Sequence, residues 1–391
     1  MSIEATVPEE TTTRTTENAQ PPIATARRRG VLAVAAGLGL IVLLAILPLL
    51  ALDVPGILPG PTYTPGTLQL LAYAMLIAAL ALTYRMMFGL AGLLSFGHAL
   101  FFAAGAYGLG IVLDAFAPVE WPSTVIFLVS LAVTFVLGTV LAATVGALAL
   151  RVSGISFAMV TLAFAQAGSV LIRRNPERAT GGDEGLSLDI AHVPDFLVGV
   201  VNTRNLYWLA LAVLVLVYLA VFWVERSRAG RVAEAVRENE LRVRVLGIRP
   251  FGVKLLIFVV ASVLAVVVGM VYLLLQSGVS PRIATADFTL TLLVIVVLGG
   301  VGFRWGAVIG GIVYAVLDQR LTALAGSELV AGLPAVLRIP LSEPLFILGT
   351  LFILVVLFLP GGIAGTVHRV RERRRGRDDG QRRRSAGSET A

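Results

Sequence analysis

The chain has 391 residues, of which 57% are hydrophobic and 14% charged, and its formal net charge is +7. This composition excludes a soluble globular protein, and the lack of cysteine excludes disulfides, thiolate zinc sites and cysteine nucleophiles. The basic residues lie in loops and tails beside apolar segments, which is the pattern of membrane orientation signals rather than of a nucleic-acid surface.

The amino-terminal region is polar, so residues 1–29 are predicted to form a disordered cytoplasmic tail. Three arginines then precede an apolar run from Val31 to Leu52. A signal peptide has this order of parts, but this apolar run is longer, and no good small-residue cleavage site follows it. We therefore predict a first membrane span, with a cleaved signal peptide as the alternative.

Apolar segments recur along the chain, mostly at lengths that can cross the hydrocarbon layer as helices. The predicted crossings are Val31–Leu52, Leu68–Tyr84, Phe88–Leu113, Val125–Leu150, Val152–Ile172, Tyr207–Val224, Val253–Leu275, Phe288–Leu298, Ala307–Leu324 and Leu345–Leu359. They predict an all-α polytopic membrane protein of about ten transmembrane helices, some broken or glycine-rich, within residues 30–366. Both termini are then cytoplasmic, and residues 367–391 form a basic cytoplasmic tail. Arg173, Arg174 and Arg178 fall outside and are the exceptions to the positive-inside pattern.

The third crossing is rich in glycine and carries polar residues at membrane depth. Gly92 and Gly97 favour a break in the helix or a close approach of two backbones. Ser95 lies between these glycines, and His98 follows Gly97. Both are candidates for the translocation pathway, His98 because it is an ionisable group at membrane depth. The alternative is that a neutral His98 only hydrogen-bonds a neighbouring helix.

The fifth crossing and the polar segment after it contain further candidates. Thr161 and Gln166 lie inside the span, where polar side chains line a pathway or join two helices. Thr180, Gly181 and Gly182 follow on the outer side, where they favour a flexible gate or simply a turn.

A charged stretch at residues 225–252 separates two crossings and is predicted to lie in the cytoplasm. Its apolar residues recur at helical spacing at Val232, Val236, Val243 and Leu246, while charged residues occupy most of the remaining surface. Gly247 can end such a helix in the left-handed conformation. The pattern predicts a short surface helix whose apolar stripe contacts a partner, with a solvated loop as the alternative.

Glycines near the eighth and ninth crossings recur every fourth residue, at Gly302, Gly306 and Gly310. This spacing predicts a helix face that another helix approaches closely. Asp318 follows as a carboxylate towards the outer end of the ninth crossing.

Several enzyme motifs are missing from the sequence. A P-loop needs a lysine after a glycine array, and the only lysine, Lys254, has no such array before it. The sequence also contains neither an HExxH pair nor a GxSxG elbow flanking a catalytic base. We therefore predict no catalytic residue, metal or cofactor in this chain, and a pump built on it needs a separate ATPase.

Three blocks of sequence resemble the permeases of ABC importers for branched-chain amino acids, and most closely the larger of their two paralogous permeases. The blocks are FGLAGLLSFGHALFFAAGAY, RVSGISFAMVTLAFAQAGSVLIRRN with the later TGGDEGLS, and DFTLTLLVIVVLGGVGFRWGAVIGGIVYAVLDQ. GRVAEAVRENELRVRVLGIRPFGVK is similar to the cytoplasmic loop of that family, which docks on the ATPase as a coupling helix.

The resemblance implies docking roles for particular residues of the cytoplasmic loop. Glu234 and Ala235 correspond to the Glu-Ala core of the family's loop, although Glu240 stands where many other importers have glycine. The residues implied to dock on the ATPase are Val232, Glu234, Ala235, Val236, Arg237, Glu238 and Gly247.

The resemblance also implies partners, a location and a substrate class. The partners are a paralogous permease, two ATPase subunits that bind the ATP, and an extracytoplasmic binding protein, in a prokaryotic inner membrane. The substrates are branched-chain or other hydrophobic amino acids. A permease for urea or short amides, and a stand-alone secondary transporter, are the alternatives.

Overall fold

The computed structural model describes residues 39, 41–52, 59–174 and 180–325, together with residues 346–347, 349–350, 353, 357–358 and 361–366. The chain divides into two compact units, residues 1–46 and residues 47–391. In the first unit, residues 41–46 are helical.

The second unit is built from α-helices. In chain order they are α1 (Pro65–Arg85), α2 (His98–Phe116), α3 (Ser123–Ala149), α4 (Ile155–Arg174), α5 (Thr203–Arg226), α6 (Arg228–Glu238), α7 (Glu240–Val245), α8 (Pro250–Gln276), α9 (Ala286–Gly299) and α10 (Arg304–Ala325). The two strands, β1 (Leu186–Ser187) and β2 (Gly278–Val279), pair antiparallel and join the segment after α4 to the end of α8. The predicted all-α polytopic class is confirmed.

Six helical segments in the described part of the chain are long and apolar enough to cross a membrane. They are Pro65–Leu90, His98–Phe116, Ser123–Ala149, Ile155–Arg174, Val200–Arg226 and Pro250–Gln276. They match the predicted second to seventh crossings. The predicted eighth and ninth crossings form α9 and α10, which are bent by 120° at their junction. Together they form at most one further span. The predicted first and tenth crossings lie wholly or partly outside the described residues, and the side on which the termini lie stays a prediction.

Local sequence sets where several of these helices begin. Pro65 and Pro250 occupy the first turns of α1 and α8, where a missing amide proton costs no hydrogen bond. Ser227 caps α6 by accepting a hydrogen bond from the Gly230 amide at 3.1 Å. Asn239 caps α7 in the same way through the Arg242 amide, at 2.9 Å. Asn239 is extended, so α6 and α7 are separate helices rather than the single predicted one.

The centre of the unit is α1. In the span Pro65–Leu90, which contains α1, 78% of the most apolar stretch is buried inside the protein. In α4 the corresponding share is 28%. The core is therefore organised around α1, and α4 exposes most of its surface to lipid or to another protein.

Glycines bring α2 and α8 into backbone contact. A Cβ atom on Gly105 would lie 2.0 Å from the carbonyl oxygen of Val266, and one on Gly269 would lie 2.0 Å from the carbonyl oxygen of Phe102. Each helix therefore supplies a glycine where the other helix's backbone passes, which is the packing expected where helices approach most closely in a membrane.

The predicted glycine face near α10 is partly wrong. Gly306 and Gly310 do contact α9, with added Cβ atoms 2.5 Å from the Gly299 oxygen and 2.4 Å from the Ile295 oxygen. Gly302, however, lies in the turn before α10, and a Cβ there would meet nothing within 4 Å. The helix begins only at Arg304, so Gly302 cannot share its face.

Candidate functional site

The helix that starts at Pro65 is interrupted inside the bundle. Residues Met86–Leu90 form a π-helical turn, the backbone is then non-helical from Gly92 to Gly97, and α2 starts at His98. Gly92 has a φ of +68°, in the left-handed region that favours glycine. The break predicted in this region is therefore present, but Phe88–Leu90 belong to the preceding span rather than to the helix of His98.

Side chains from two other helices satisfy the backbone around the break. The Phe96 amide donates to Thr161 Oγ1 of α4 at 3.1 Å, and the Ala99 amide donates to Thr289 Oγ1 of α9, also at 3.1 Å. The Gly97 amide donates to the buried Ser95 hydroxyl at 3.2 Å. Unwound backbone at membrane depth is tolerated where it is buried in protein or lines a cavity, and these contacts meet that requirement.

The same contacts account for the glycine at position 97. A Cβ on Gly97 would lie 2.5 Å from the Thr161 carbonyl oxygen, so the break and α4 are in backbone contact. Thr161 is itself buried and donates its hydroxyl proton to the Ala158 carbonyl at 2.9 Å. Thr161 therefore joins two parts of the bundle.

His98 is fully buried at the start of α2. Its Nε2 lies 2.8 Å from Thr83 Oγ1, and its ring packs edge-on against Tyr84 with the centroids 5.5 Å apart. Its Nδ1 finds no hydrogen-bond partner among the described residues. These contacts match the alternative interpretation, in which His98 joins neighbouring helices, and they place the ring away from the cavity described below.

Gln166 lies on the exposed side of α4. It shares that side with Met159 and Val170, which are 55% and 47% exposed. An uncharged but strongly polar amide is unfavourable against lipid, so this face is expected to meet another protein or a water-filled path. Burial thus separates Gln166 from Thr161, although both lie on one helix.

The segment Thr180–Gly182 forms a packed turn. The Thr180 hydroxyl donates to the Ile172 carbonyl at the end of α4, at 2.7 Å. Gly181 has a φ of +69°, and a Cβ on it would lie 1.8 Å from the Gly185 carbonyl oxygen. The geometry fits the simpler of the two interpretations, a turn, and a gating role stays a prediction. Arg173 and Arg174 are exposed in the last turn of α4, and Arg178 lies outside the described residues.

Helices α6 and α7, in the loop predicted to be cytoplasmic, pack on the protein itself. Val236 and Val243 are each 4% exposed, and α6 lies against α8. The expectation that the apolar stripe contacts an external partner is therefore wrong for these two residues, because the chain's own helices cover them. Val232 is half-buried, and Leu246, which follows the last residue of α7, is exposed.

The outward face of α6 carries other residues of the predicted docking set, namely Glu234, Ala235 and Glu238, all exposed. A shallow groove of about 340 Å³ lies beside this face, lined by Arg228, Arg231, Val232, Ala235, Val243, Leu246 and Ile248. Gly247 ends α7 with a φ of +80°, as predicted. The surface available to a partner is thus small and apolar at its floor, with charges around it.

An ionic cluster that sequence reasoning missed lies where α1, α5 and α10 meet. Arg85, at the end of α1, forms an ion pair with Glu225 of α5 and donates from Nε to the Val301 carbonyl at 3.1 Å. Arg304 lies 3.1 Å from the same Glu225 carboxylate, and its guanidinium stacks 4.6 Å above the Phe222 ring. In the sequence, Arg85 is only the residue that follows the predicted span Leu68–Tyr84, and no local pattern relates position 85 to position 225.

A cavity of about 1150 Å³ lies between the break, the α3–α4 turn and the helices α6 and α7. Arg151, Arg249 and the ion-paired group around Glu240 line it. Glu240 accepts hydrogen bonds from Lys254 at 2.6 Å and from Arg244 at 2.5 Å. Partial burial by itself would raise the pKa of the Glu240 carboxyl, but these two cations hold that pKa below its ordinary value.

These features define a multi-pass helical membrane protein with an interrupted span and a helix pair between two spans. The chain belongs to the family described as branched-chain amino acid transport system / permease component, whose model matches residues 66–359. It is similar to the high-affinity branched-chain amino acid transport system permease protein LivM of Salmonella typhimurium strain LT2 and of Escherichia coli strain K12. Each is 29% identical over 283 residues. The match spans 66% of this chain and 64% of the length of each of these two relatives.

The paralogous type of permease is a more distant match. The permease protein LivH of Escherichia coli strain K12 is 25% identical over 304 residues, covering 74% of this chain and 91% of LivH. The higher identity to LivM agrees with the predicted assignment to that type of permease.

Proposed function

We propose that this protein is the LivM-type permease subunit of an ABC importer and forms part of the translocation pathway for branched-chain and other hydrophobic amino acids. Family membership and the names of its relatives support this function. The proposal includes a second, LivH-type permease, two ATPase subunits that bind and hydrolyse ATP, and an extracytoplasmic binding protein. It places the complex in a prokaryotic inner membrane.

The observation that carries the proposal is the non-helical segment Gly92–Gly97. Its Phe96 amide is held by Thr161 of α4, and the Ala99 amide just after the segment is held by Thr289 of α9, each at 3.1 Å. Such a segment weakens a membrane helix, and it is typical of transport proteins in which a broken helix borders the substrate path. Gln166 lies on the exposed side of the same helix, α4, whose buried side supplies Thr161 to the break.

The burial pattern of α6 and α7 supports a particular docking surface for the ATPase. Since Val236 and Val243 are covered by the protein itself, Glu234 and Ala235 provide the accessible contact on α6. The partner then needs a pocket that accepts a narrow helix face, with a cation near Glu234. In this arrangement the family's Glu-Ala core remains the contact with the ATPase. Val236 and Val243 instead pack against the protein's own helices and hold α6 in place.

Reconstitution tests the transport function. The protein is co-expressed with the neighbouring permease, ATPase and binding-protein genes, purified as a complex, and inserted into liposomes containing ATP. We expect uptake of labelled leucine, isoleucine or valine that requires both ATP and the binding protein. Uptake of urea or short amides instead would assign the chain to the related class of permease. Uptake that needs no ATPase would contradict an ABC importer.

Two charge reversals test the docking surface. Glu234→Arg should reduce the ATPase that co-purifies with the permease, because the new cation would face the cation proposed on the partner. Glu120→Arg is the matched control, since Glu120 is also an exposed glutamate but lies in the loop between α2 and α3. Equal retention of the ATPase by both variants would remove Glu234 from the interface.

A further inference from the structure

Arg237 of α6 turns towards the membrane helices. Its Nη1 donates a hydrogen bond to the carbonyl oxygen of Gly89, in the π-helical turn that precedes the break. Its aliphatic stem lies over Gly92, where an added Cβ would come within 3.0 Å of Arg237 Cγ. Part of the arginine surface remains exposed, but its hydrogen bond and its stem contact both lie on one side, against the break.

The Gly89 carbonyl is available to Arg237 because the helix changes register there. In a continuing α-helix, the Leu93 amide would donate to the Gly89 carbonyl. In this structure the Leu93 amide donates instead to the Met87 carbonyl, at 3.2 Å. The π-helical turn therefore leaves the Gly89 oxygen for a side chain, and the donor comes from the cytoplasmic helix.

The neighbouring arginines make different contacts. Arg231 of α6 donates to the Arg226 carbonyl at 2.8 Å, close to its own position in the chain. Arg244 of α7 pairs with Glu240 four residues away. Arg237 instead joins residues 148 positions apart, and it is the contact through which the carboxyl end of α6 reaches the break.

The amino end of α6 reaches the same stretch by another route. Glu225 lies three residues before α6 and pairs with Arg85, four residues before Gly89. Both ends of α6 are therefore tied to residues 85–89. From there the peptide chain leads directly through Gly92 and Gly97 to His98.

We infer that Arg237 is a positioning residue that transmits movement of α6 to the interrupted span, rather than a contact for the ATPase. This inference rests on the proposed function, in which the outward face of α6 docks on the ATPase. When α6 moves with its partner, the Gly89 carbonyl and the left-handed turn at Gly92 move with Arg237. The non-helical segment between Gly92 and Gly97 then changes its position against α4.

Substitution of Arg237 tests the hydrogen bond. In the reconstituted complex, Arg237→Gln should lower the ratio of substrate-stimulated to basal ATP hydrolysis by about fivefold or more, the usual lower range of coupling between sites. The amount of co-purified ATPase should stay within about twofold of wild type. The Arg237–Gly89 hydrogen bond is proposed to affect the ratio of stimulated to basal hydrolysis and not the docking of the ATPase. Arg237→Lys retains a cationic donor and should restore part of the ratio. Arg242→Gln is the control, because Arg242 is exposed on α7, lines neither the cavity nor the groove, and makes no side-chain hydrogen bond or ion pair with the described residues.

Two glycine variants test the contact with the stem of Arg237. Gly92 and Gly154 have nearly the same left-handed conformation, with φ of +68° and +63°, so alanine strains the backbone equally at both. Only at Gly92 would the new methyl group meet Arg237, since a Cβ on Gly154 has nothing within 4 Å. Gly92→Ala should therefore lower the coupling ratio severalfold more than Gly154→Ala, at equal expression and thermal stability.

The outcomes separate this inference from the proposed function. If the wild-type protein retains no ATPase, the proposed function fails, and the inference fails with it. If the wild type retains the ATPase and couples normally, a normal ratio in Arg237→Gln overturns the inference alone. Equal loss in Arg237→Lys and Arg237→Gln would refute the role of the hydrogen bond, and equal effects of the two glycine variants would refute the stem contact.

Discussion

The crossing of α2 and α8 gives a prediction whose size follows from the geometry. In Gly269→Ala, the new methyl carbon would begin 2.0 Å from the Phe102 carbonyl oxygen, whereas ordinary contacts begin near 3.4 Å. The helices must therefore separate locally by more than about 1 Å, and a helical carbonyl cannot rotate away as a flexible side chain could. Overpacking of this kind costs about 1–3 kcal/mol, and the rigid backbone contact favours the upper half of that range.

A gain in helix propensity partly offsets this strain. Replacing glycine by alanine inside a helix is favourable by about 1 kcal/mol. The net expectation for Gly269→Ala is a loss of about 1–2 kcal/mol in the free energy of unfolding, which is roughly a 5- to 30-fold change in the folded to unfolded ratio. Gly252→Ala lies on the same helix with nothing within 4 Å, so it should be neutral or slightly stabilising.

Denaturant titration of the purified variants in detergent micelles measures the difference. The double variant Gly105→Ala with Gly269→Ala should lose less than the sum of the two single losses, because one separation of the helices relieves both contacts. If Gly269→Ala is as stable as Gly252→Ala, α2 and α8 do not cross at backbone contact, and the reasoning fails.

Three further predictions concern the break, the ion-paired group and the orientation of the chain. Gly97→Leu should abolish amino acid uptake while the ATPase still co-purifies, because its Cβ would lie 2.5 Å from the Thr161 carbonyl oxygen of α4. Normal uptake would show that transport does not depend on glycine at this position. Because the pKa of Glu240 is lowered in the folded protein, its stabilising contribution is full above its ordinary pKa and is lost as the pH falls through the lower folded value. The stability difference between wild type and Glu240→Gln should therefore shrink from pH 7 to strongly acidic pH, and a constant difference would contradict the ion-paired geometry. A cysteine introduced at the exposed Ser187 should react with an impermeant reagent from outside, and one at Asn239 only from inside; reaction of both from one side would refute the predicted orientation.

The sequence predicted the local parts of the candidate site well. The glycines and polar residues from Gly92 to His98 indicated a break, and one is present at that place. The helical spacing at Val232 and Val236 indicated an amphipathic helix between two spans, which is α6, while its cytoplasmic location stays a prediction. Both predictions rest on periodicity and on the conformational preferences of glycine, which act over one or two turns of chain.

The partners of these local features could not be read from the sequence. The apolar side of α6 was expected to contact another protein, but α8 covers it, because a stripe of valines has the same pattern whichever surface buries it. The Arg85–Glu225 pair and the Arg237–Gly89 contact were also missed. They join residues 140 and 148 positions apart, and no local spacing relates such positions.

The sequence by itself determined that this chain is a polytopic helical membrane protein, because long apolar runs must satisfy their backbone as helices in lipid. It also determined the family resemblance, since the glycine-rich block and the cytoplasmic loop are continuous motifs. Only the tertiary structure decided which polar residues are buried and hydrogen-bond to other segments, such as His98 and Thr161. It also decided which are exposed, such as Gln166 and Glu234. The physical reason is that burial depends on which helices pack together, and that packing follows from contacts between segments far apart in the chain.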